Sequence, residues 1–112
     1  MSISVYIIAY NEAKKIADTI NSVLWADEII VADSASTDET AQIAQDMGAR
    51  VVQVPFQGFG HLRNQAIKSC THEWIFSLDT DEQCTPDVRD EVLMILSGTH
   101  AHDAYLVPRR NY

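Results

Sequence analysis

Two aspartates and a glutamate, Asp79, Asp81 and Glu82, follow directly on the apolar run W-I-F-S-L (Trp74 to Leu78). In an extended segment, side chains two residues apart share a face, so the carboxylates of Asp79 and Asp81 can converge on one point. Two close carboxylates repel, and one of them takes up a proton unless a cation neutralises the pair. Hard oxygen ligands of this kind suit Mg²⁺ or Mn²⁺, ions commonly shared between one or two carboxylates and a substrate diphosphate. A chain of 112 residues with ten aspartates contains roughly one D-x-D pair by chance, so the information lies in the placement and not in the spacing. A solvated acidic turn is the competing reading. A calcium loop does not fit, because Gln83 and Cys84 stand where a third oxygen ligand and the turn glycine belong. A helix cap fits poorly too, since Thr85 and Pro86 already open the next helix.

The elements that must present these carboxylates follow from the hydrophobic periodicity. Ser2 to Ala9 is apolar or β-branched at nearly every position, as in a strand buried on both faces. Ala13, Ile16, Ala17, Ile20, Val23 and Leu24 recur at three- and four-residue steps, which predicts a helix over 12–25 with Asn11 as its cap. Glu28 to Asp33 reads as a second strand ending in an acid. Ser36 and Glu39 have capping-box spacing for a helix through Met47, closed by a left-handed Gly48. A third strand over 50–54 breaks at P-F-Q-G-F-G (Pro55 to Gly60), a helix runs from about His61 to Cys70, and Glu73 to Leu78 forms the fourth strand. Thr85 and Pro86 open a helix to Ser97 that Gly98 closes, and residues 103–108 suggest a fifth strand. This alternation predicts an α/β fold with a mostly parallel sheet and helices on both faces, in one domain over 1–112.

In open sheets of this kind ligands bind outside the carboxyl ends of the strands. That rule singles out Tyr10, Asn11 and Glu12 after strand one, Asp33 to Ser36 after strand two, Gly58 to Arg63 after strand three, and Asp79 to Glu82 after strand four. Several common site types are absent. Y-N-E-A has no glycine where a dinucleotide fingerprint needs them, and neither a phosphate-loop G-x-x-x-x-G-K-[ST] nor a G-x-S-x-G elbow occurs. The net charge of −8 disfavours non-specific nucleic-acid binding, and a phosphate ligand would need a local cation. With no apolar run long enough to span a bilayer and no leader-like N-terminus, the chain is expected to be soluble and cytoplasmic. Cys70 and Cys84 are expected as reduced thiols. Cys70 with His72 lacks the neighbours for a zinc site, and His100 and His102 fall in an expected loop.

Taken jointly and in order, S-V-Y-I-I-A-Y-N-E, E-I-I-V-A-D-S-A-S-T-D-E-T and W-I-F-S-L-D-T-D-E resemble the family 2 glycosyltransferases of GT-A fold over nearly the whole chain. The D-S-x-S-T-D form of the second motif, with V-P-F-Q-G-F-G-H-L-R-N-Q-A, is similar to the lipopolysaccharide core glucosyltransferases within that family. The resemblance implies that Tyr10, Asn11 and Glu12 surround the base and ribose of a nucleotide-sugar, expected to be a UDP-sugar, and that Asp33 accepts a hydrogen bond from the uracil edge. Many family members carry two acids where this chain has Asp33 and Ser34. Arg63 is implied to lie near the diphosphate, on a loop whose glycines permit close backbone approach; an arginine solvated in the first turn of a helix fits the pattern equally. Asp79 is implied to contact the ribose and, with Asp81, to hold Mn²⁺ or Mg²⁺.

An inverting transfer also needs a carboxylate opposite the leaving group, and the resemblance puts that general base after Tyr112. The chain is therefore expected to be the donor-binding part of a longer transferase, with no catalytic base of its own and no transfer activity alone. Its expected partners are a nucleotide-sugar donor and a saccharide or lipid-linked saccharide acceptor, with peripheral contact to the cytoplasmic face of the inner membrane through the missing part. Apolar surface left by the missing half would favour self-association. Two other classes stay open: a sugar nucleotidyltransferase, whose basic glycine-rich loop after strand one is absent here, and a nucleotide-binding or dimerisation module without catalysis.

Overall fold

The computed structural model describes residues 2–80, 86–96 and 106–108. Its elements are β1 (Ile3–Ala9), α1 (Ile16–Asn21), β2 (Glu28–Asp33), α2 (Thr40–Asp46), β3 (Arg50–Gln53), α3 (Phe59–Ser69), β4 (Trp74–Asp79), α4 (Pro86–Leu96) and β5 (Leu106–Pro108). The strands form one sheet in the order β3-β2-β1-β4-β5. Pairing is parallel from β3 through β4, and β5 runs antiparallel to β4. The mostly parallel sheet expected from the sequence is thus observed.

Continuous apolar runs place β1 and β2 at the centre. Val5 and Ile7 of β1, with Val31 of β2 and Phe76 and Leu78 of β4, turn to one face, where they meet Ile16, Ile20 and Val23 around α1, Ala44 of α2 and Val92 of α4. Tyr6, Ile30, Ala32 and Ile75 turn to the other and meet Leu62, Ala66 and Ile67 of α3 and the free, buried Cys70. Right-handed crossovers account for this division. The chain moves outward from β1 to β2 to β3 with α1 and α2 on one face, then returns past β1 to β4 through α3 on the other. The reversal leaves a topological switch point between β1 and β4, the position where such sheets open a crevice at the carboxyl ends.

Three local expectations are corrected. The helix expected over 12–25 is helical only over α1, because the chain on either side of it turns: Lys15 N–H donates to the Glu12 carbonyl at 2.9 Å and Val23 N–H to the Ile20 carbonyl at 3.0 Å. Asn11 does not cap it, since its side chain is engaged across the sheet by Thr37. Ser36 does not cap α2 either. Its hydroxyl donates to Asp33, and α2 begins only at Thr40, whose N–H donates to the Asp38 carboxylate at 3.0 Å. At the other end of α2 the expected glycine stop is present: Gly48 has φ +94° and Ala49 N–H donates to the Ala44 carbonyl at 3.0 Å. Finally, α3 starts two residues before His61, so Phe59 and Gly60 are helical and not loop. The expected Thr85 cap, the Gly98 stop, residues 103–105 of the fifth strand, and Cys84, His100 and His102 lie outside the described residues. Among the described residues, no helix is long and apolar enough to cross a membrane.

The amino ends of the strands are tied together by one carboxylate. Glu28 accepts from the Ser4 hydroxyl at 2.8 Å and from Thr71 N–H at 2.9 Å, and the Thr71 hydroxyl reaches both of its oxygens at 3.1 Å. His72 N–H donates in turn to the Ser4 hydroxyl at 3.2 Å. These bonds join β1, β2 and the α3–β4 connection, and so fix the register that carries β1, β2 and β4 to a common rim at their other ends.

Candidate functional site at the carboxyl rim of the sheet

Register places the strand ends side by side. Ala9 pairs with Asp33, Ile8 with Asp79, and Asp33 with Gln53. Beyond the last pairs, Ser34 N–H donates to the Ala9 carbonyl and Val54 N–H to the Asp33 carbonyl, each at 2.9 Å. Thr19 of α1 donates its hydroxyl to the Thr80 carbonyl at 3.1 Å, which holds the end of β4 against α1.

Asp33 is the hub of this rim. Its side chain is fully buried, a costly position for a carboxylate unless donors surround it. They do: the Ser36 hydroxyl donates to one oxygen, and Ser36 N–H at 3.1 Å and Gln53 Nε2 at 2.9 Å donate to the other. The Ser36 hydroxyl also accepts from Asn11 N–H at 2.8 Å, so one serine links the β1 end to the buried acid. Asn11 closes the circuit by accepting from Thr37 N–H at 2.8 Å and from the Thr37 hydroxyl at 3.3 Å. Glu12 N–H donates to the Thr40 hydroxyl at 2.9 Å. Asp38 accepts from the Thr40 hydroxyl and N–H and, at 3.3 Å, from Ala13 N–H. The Thr40 hydroxyl bond holds the Asp38 carboxyl below the ordinary aspartate range; desolvation works against it, and the two N–H bonds add to it.

Two residues of this rim other than glycine have left-handed backbones, Asn11 at φ +51° and Ala35 at φ +54°. Each lies two residues past the end of its strand, β1 or β2, on the carboxyl rim. Asparagine tolerates this region and alanine does not, so Ala35 is held there by its surroundings, a pattern that clusters at ligand sites.

Beside the network lies an open depression of about 430 Å³ lined by Ile8, Tyr10, Ser34, Phe56, Phe59 and Leu62. Tyr10, Phe56 and Phe59 are 57%, 58% and 71% exposed, large apolar surfaces that water does not favour and that a flat ligand could cover. The Phe56 and Phe59 rings meet edge to face with centroids 5.3 Å apart. Gly58 makes this corner, with φ +102° and ψ 153°, a backbone that a side chain would strain.

The structure brings Tyr10, Asn11, Glu12 and Asp33 to one rim, as the family resemblance implied, in different surroundings. Tyr10 faces the depression, whereas Asp33 is enclosed behind it. Arg63 is exposed and sits inside α3, one residue past the depression-lining Leu62, and not on a glycine-rich loop. Asp79 ends β4 opposite Ile8; its side chain and the whole of Asp81 lie outside the described residues. Among the described residues no three histidine, cysteine or acidic side chains gather as a metal site. Sequence reasoning singled out the stretches that hold Ser34 and Phe59 but assigned neither side chain a part, and it left out Phe56. The signal available for the last two was a pair of phenylalanines flanking a glycine directly after a strand.

Comparison with known proteins gives this rim a context. The sequence profile described as Glycosyl transferase family 2 matches residues 4–112. A Rickettsia felis protein named "Uncharacterized glycosyltransferase" is 42% identical over 105 residues, 93% of this chain and 37% of that protein. The lipopolysaccharide core biosynthesis glycosyltransferase LpsC of Rhizobium meliloti is 30% identical over 117 residues, covering all of this chain and 43% of LpsC. Among solved structures, S. aureus TarS residues 1–349 superpose with a TM-score of 0.75 at 27% identity over 88% of this chain and 33% of that one. Glucosyl-3-phosphoglycerate synthase from Mycobacterium tuberculosis, in complex with Mn²⁺, UDP and glucosyl-3-phosphoglycerate, gives 0.63 at 34% identity over 70% of this chain and 33% of that one. The chain thus spans well under half the length of these relatives. A profile match over nearly every residue, joined to a GT-A-like sheet whose motifs meet at one rim, means that the chain belongs to glycosyl transferase family 2.

Proposed function

We propose that this chain is the donor-binding part of a glycosyltransferase and holds a nucleoside diphosphate sugar, a UDP-sugar, across the carboxyl ends of β1, β2 and β4. The observation that carries the reading is the aromatic depression at the β1 and β2 ends, beside the switch point. A base needs a flat apolar surface with few polar groups, and Tyr10, Phe56 and Phe59 offer that surface with Ser34 at its edge. The mycobacterial synthase with Mn²⁺ and UDP bound is a structural neighbour, which favours the same ligand class here.

Donor chemistry fits a divalent ion. The backbone of Asp79 stands in register with Ile8, a residue of the depression, and Asp81 follows two positions later in the sequence, which supports a pair of hard oxygen donors for the ion. In this reading Asp79 and Asp81 hold Mn²⁺ or Mg²⁺, Asp79 also meets the ribose, and Asn11 and Glu12 shape the turn around the nucleoside. Arg63 adds positive charge near the diphosphate. The ion, when bound, stabilises the negative charge that grows on the departing diphosphate. Transfer is inverting, the acceptor and its general base belong to the remainder of the longer protein, and the LpsC match favours a lipopolysaccharide core saccharide as acceptor. The protein then works in the cytoplasm, at the inner face of the membrane that carries such an acceptor.

Calorimetry tests the donor site. UDP binds in the presence of Mn²⁺, and Asp81→Ala removes most of the affinity. Equal affinity with and without metal counts against the ion, and failure of the unaltered chain to bind UDP at all counts against the donor site.

A further inference from the structure

The acidic residues of this chain are unevenly placed. All 16 lie outside the stretch from Met47 to His72, which carries Arg50, Arg63 and Lys68 in a chain of net charge −8. That stretch forms β3, the corner at Gly58 and α3, and among the described residues α3 is the only helix on its face of the sheet, opposite α1, α2 and α4. One side of the molecule is therefore basic although the whole is acidic. Arg63 and Lys68 are exposed, and among the described residues neither side chain has a hydrogen bond or an ion pair. Leu62, Ala66 and Ile67 pack on the sheet, so His61, Asn64 and Lys68, three and four residues apart, form the outer side of α3. At the amino end of the same helix Phe56 and Phe59 stand largely exposed. Their planes meet at 77°, so a ligand lying flat on one ring leaves the other uncovered.

We infer that the outer side of α3 and the corner of Phe56 and Phe59 form a docking face for an anionic lipid surface. The inference stands apart from the donor reading and places the contact in these residues, not in the remainder of the longer protein. Charge selects the occupant. Unpaired basic side chains are drawn to anionic headgroups. The acids of α1, α2 and α4 weaken that attraction little, because the shortest dimension of the molecule is 19 Å, whereas 0.1 M salt screens charges over about 10 Å. A soluble polyanion would pair with Arg63 and Lys68 but leave the two rings in water. A bilayer meets both needs: its headgroups pair with the cations while the rings enter the boundary between headgroups and acyl chains. With few charges and two rings, the contact is weak and reversible.

Cosedimentation of the whole 112-residue chain with vesicles, in the absence of nucleotide, tests this face. The chain is expected to bind vesicles of phosphatidylcholine mixed with phosphatidylglycerol, to leave pure phosphatidylcholine vesicles alone, and to dissociate as salt is raised. Lys68→Glu lowers the partition coefficient on the order of tenfold, through the charge it removes and the one it adds near the surface. Lys14→Glu makes the same change of charge in the exposed turn before α1, on the other face, and leaves binding unchanged. In Phe59→Trp the indole emission moves to the blue when anionic vesicles are added. Lys68→Glu keeps its urea midpoint and its UDP affinity with Mn²⁺, so its loss of vesicle binding is not a loss of fold or donor site. Should it loosen the last turn of α3, Lys68→Gln removes one charge only and lowers partition about fivefold. The inference is overturned if the unaltered chain treats the two kinds of vesicle alike, or if Lys14→Glu loses as much as Lys68→Glu. Binding that survives Phe56→Ser and Phe59→Ser together overturns it too, since it marks a site for polyanions and not for a lipid surface. A chain that binds UDP but no vesicles overturns this inference alone, and one that binds vesicles but no UDP overturns the donor reading alone.

Discussion

Asn11 offers the sharpest energetic test of the rim, because its side chain and its backbone contribute separately. The side chain accepts from Thr37 N–H at 2.8 Å, and the backbone sits at φ +51°. Replacement by alanine removes the acceptor. Since this bond is exposed, water takes its place and the loss falls near the low end of the usual range, about 0.5–1 kcal/mol. Alanine must also occupy a left-handed conformation that costs roughly 1–2 kcal/mol and that asparagine tolerates better. Asn11→Ala should therefore lose about 1.5–3 kcal/mol. Asn11→Gly loses the same bond and escapes the backbone cost, but gains unfolded-state freedom worth about 0.4–1 kcal/mol, for a total of about 1–2 kcal/mol. The glycine variant should thus be the more stable of the two by about 0.5–1 kcal/mol, or some 3–5 °C in Tm for a chain of this size. Paired urea and thermal unfolding measures this difference. An alanine variant equal to or better than the glycine variant would falsify the claim that the turn after β1 is held under backbone strain.

Three further outcomes follow from other parts of the fold. Glu28 is subject to burial, which raises its pKa, but the Thr71 N–H, the Ser4 and Thr71 hydroxyls and the Arg50 charge outweigh that and hold it below the ordinary glutamate value. Its contribution to stability is therefore complete above about pH 4.3 and is lost as pH falls through the lowered folded value, so Glu28→Gln should flatten the acid side of the stability curve; identical acid limbs for the two proteins would count against it. Gly58→Ala should cost about 1–3 kcal/mol in unfolding experiments, the penalty of its glycine-only backbone, although no neighbouring atom obstructs a side chain there. Gly60→Ala, two residues later, lies inside α3 with open space around it and should stabilise by roughly 0.5–1 kcal/mol; similar effects at both glycines would mean that the corner before α3 is not the constraint.

The two central strands β1 and β2 were legible because burial on both faces leaves an unbroken apolar record, and every strand of the parallel set begins and ends within two residues of its expected limits. The short helices were less so. Ser36 and Glu39 have the spacing of a capping box, but spacing cannot tell that the Ser36 hydroxyl has a stronger claimant in a buried carboxylate three residues earlier. Asn11 was misread for the same reason, its acceptor being taken by Thr37, 26 positions away. The Asn11 error concerns a partner at another strand end, about which local pattern holds no information, and the Ser36 error concerns a near neighbour whose burial the pattern does not reveal.

The same limit explains why the site was read by residue type and not by duty. The family resemblance makes Asp33 a candidate to meet a base, and the structure shows that its carboxylate is fully buried among donors. A carboxylate satisfied by Ser36 and Gln53 stabilises the loop only while it stays enclosed, whereas Ser34 brings a neutral hydroxyl to the wall at small desolvation cost. In a chain with a net charge of −8, enclosing Asp33 among donors keeps one acid off the surface that an anionic ligand would approach in the proposed reading.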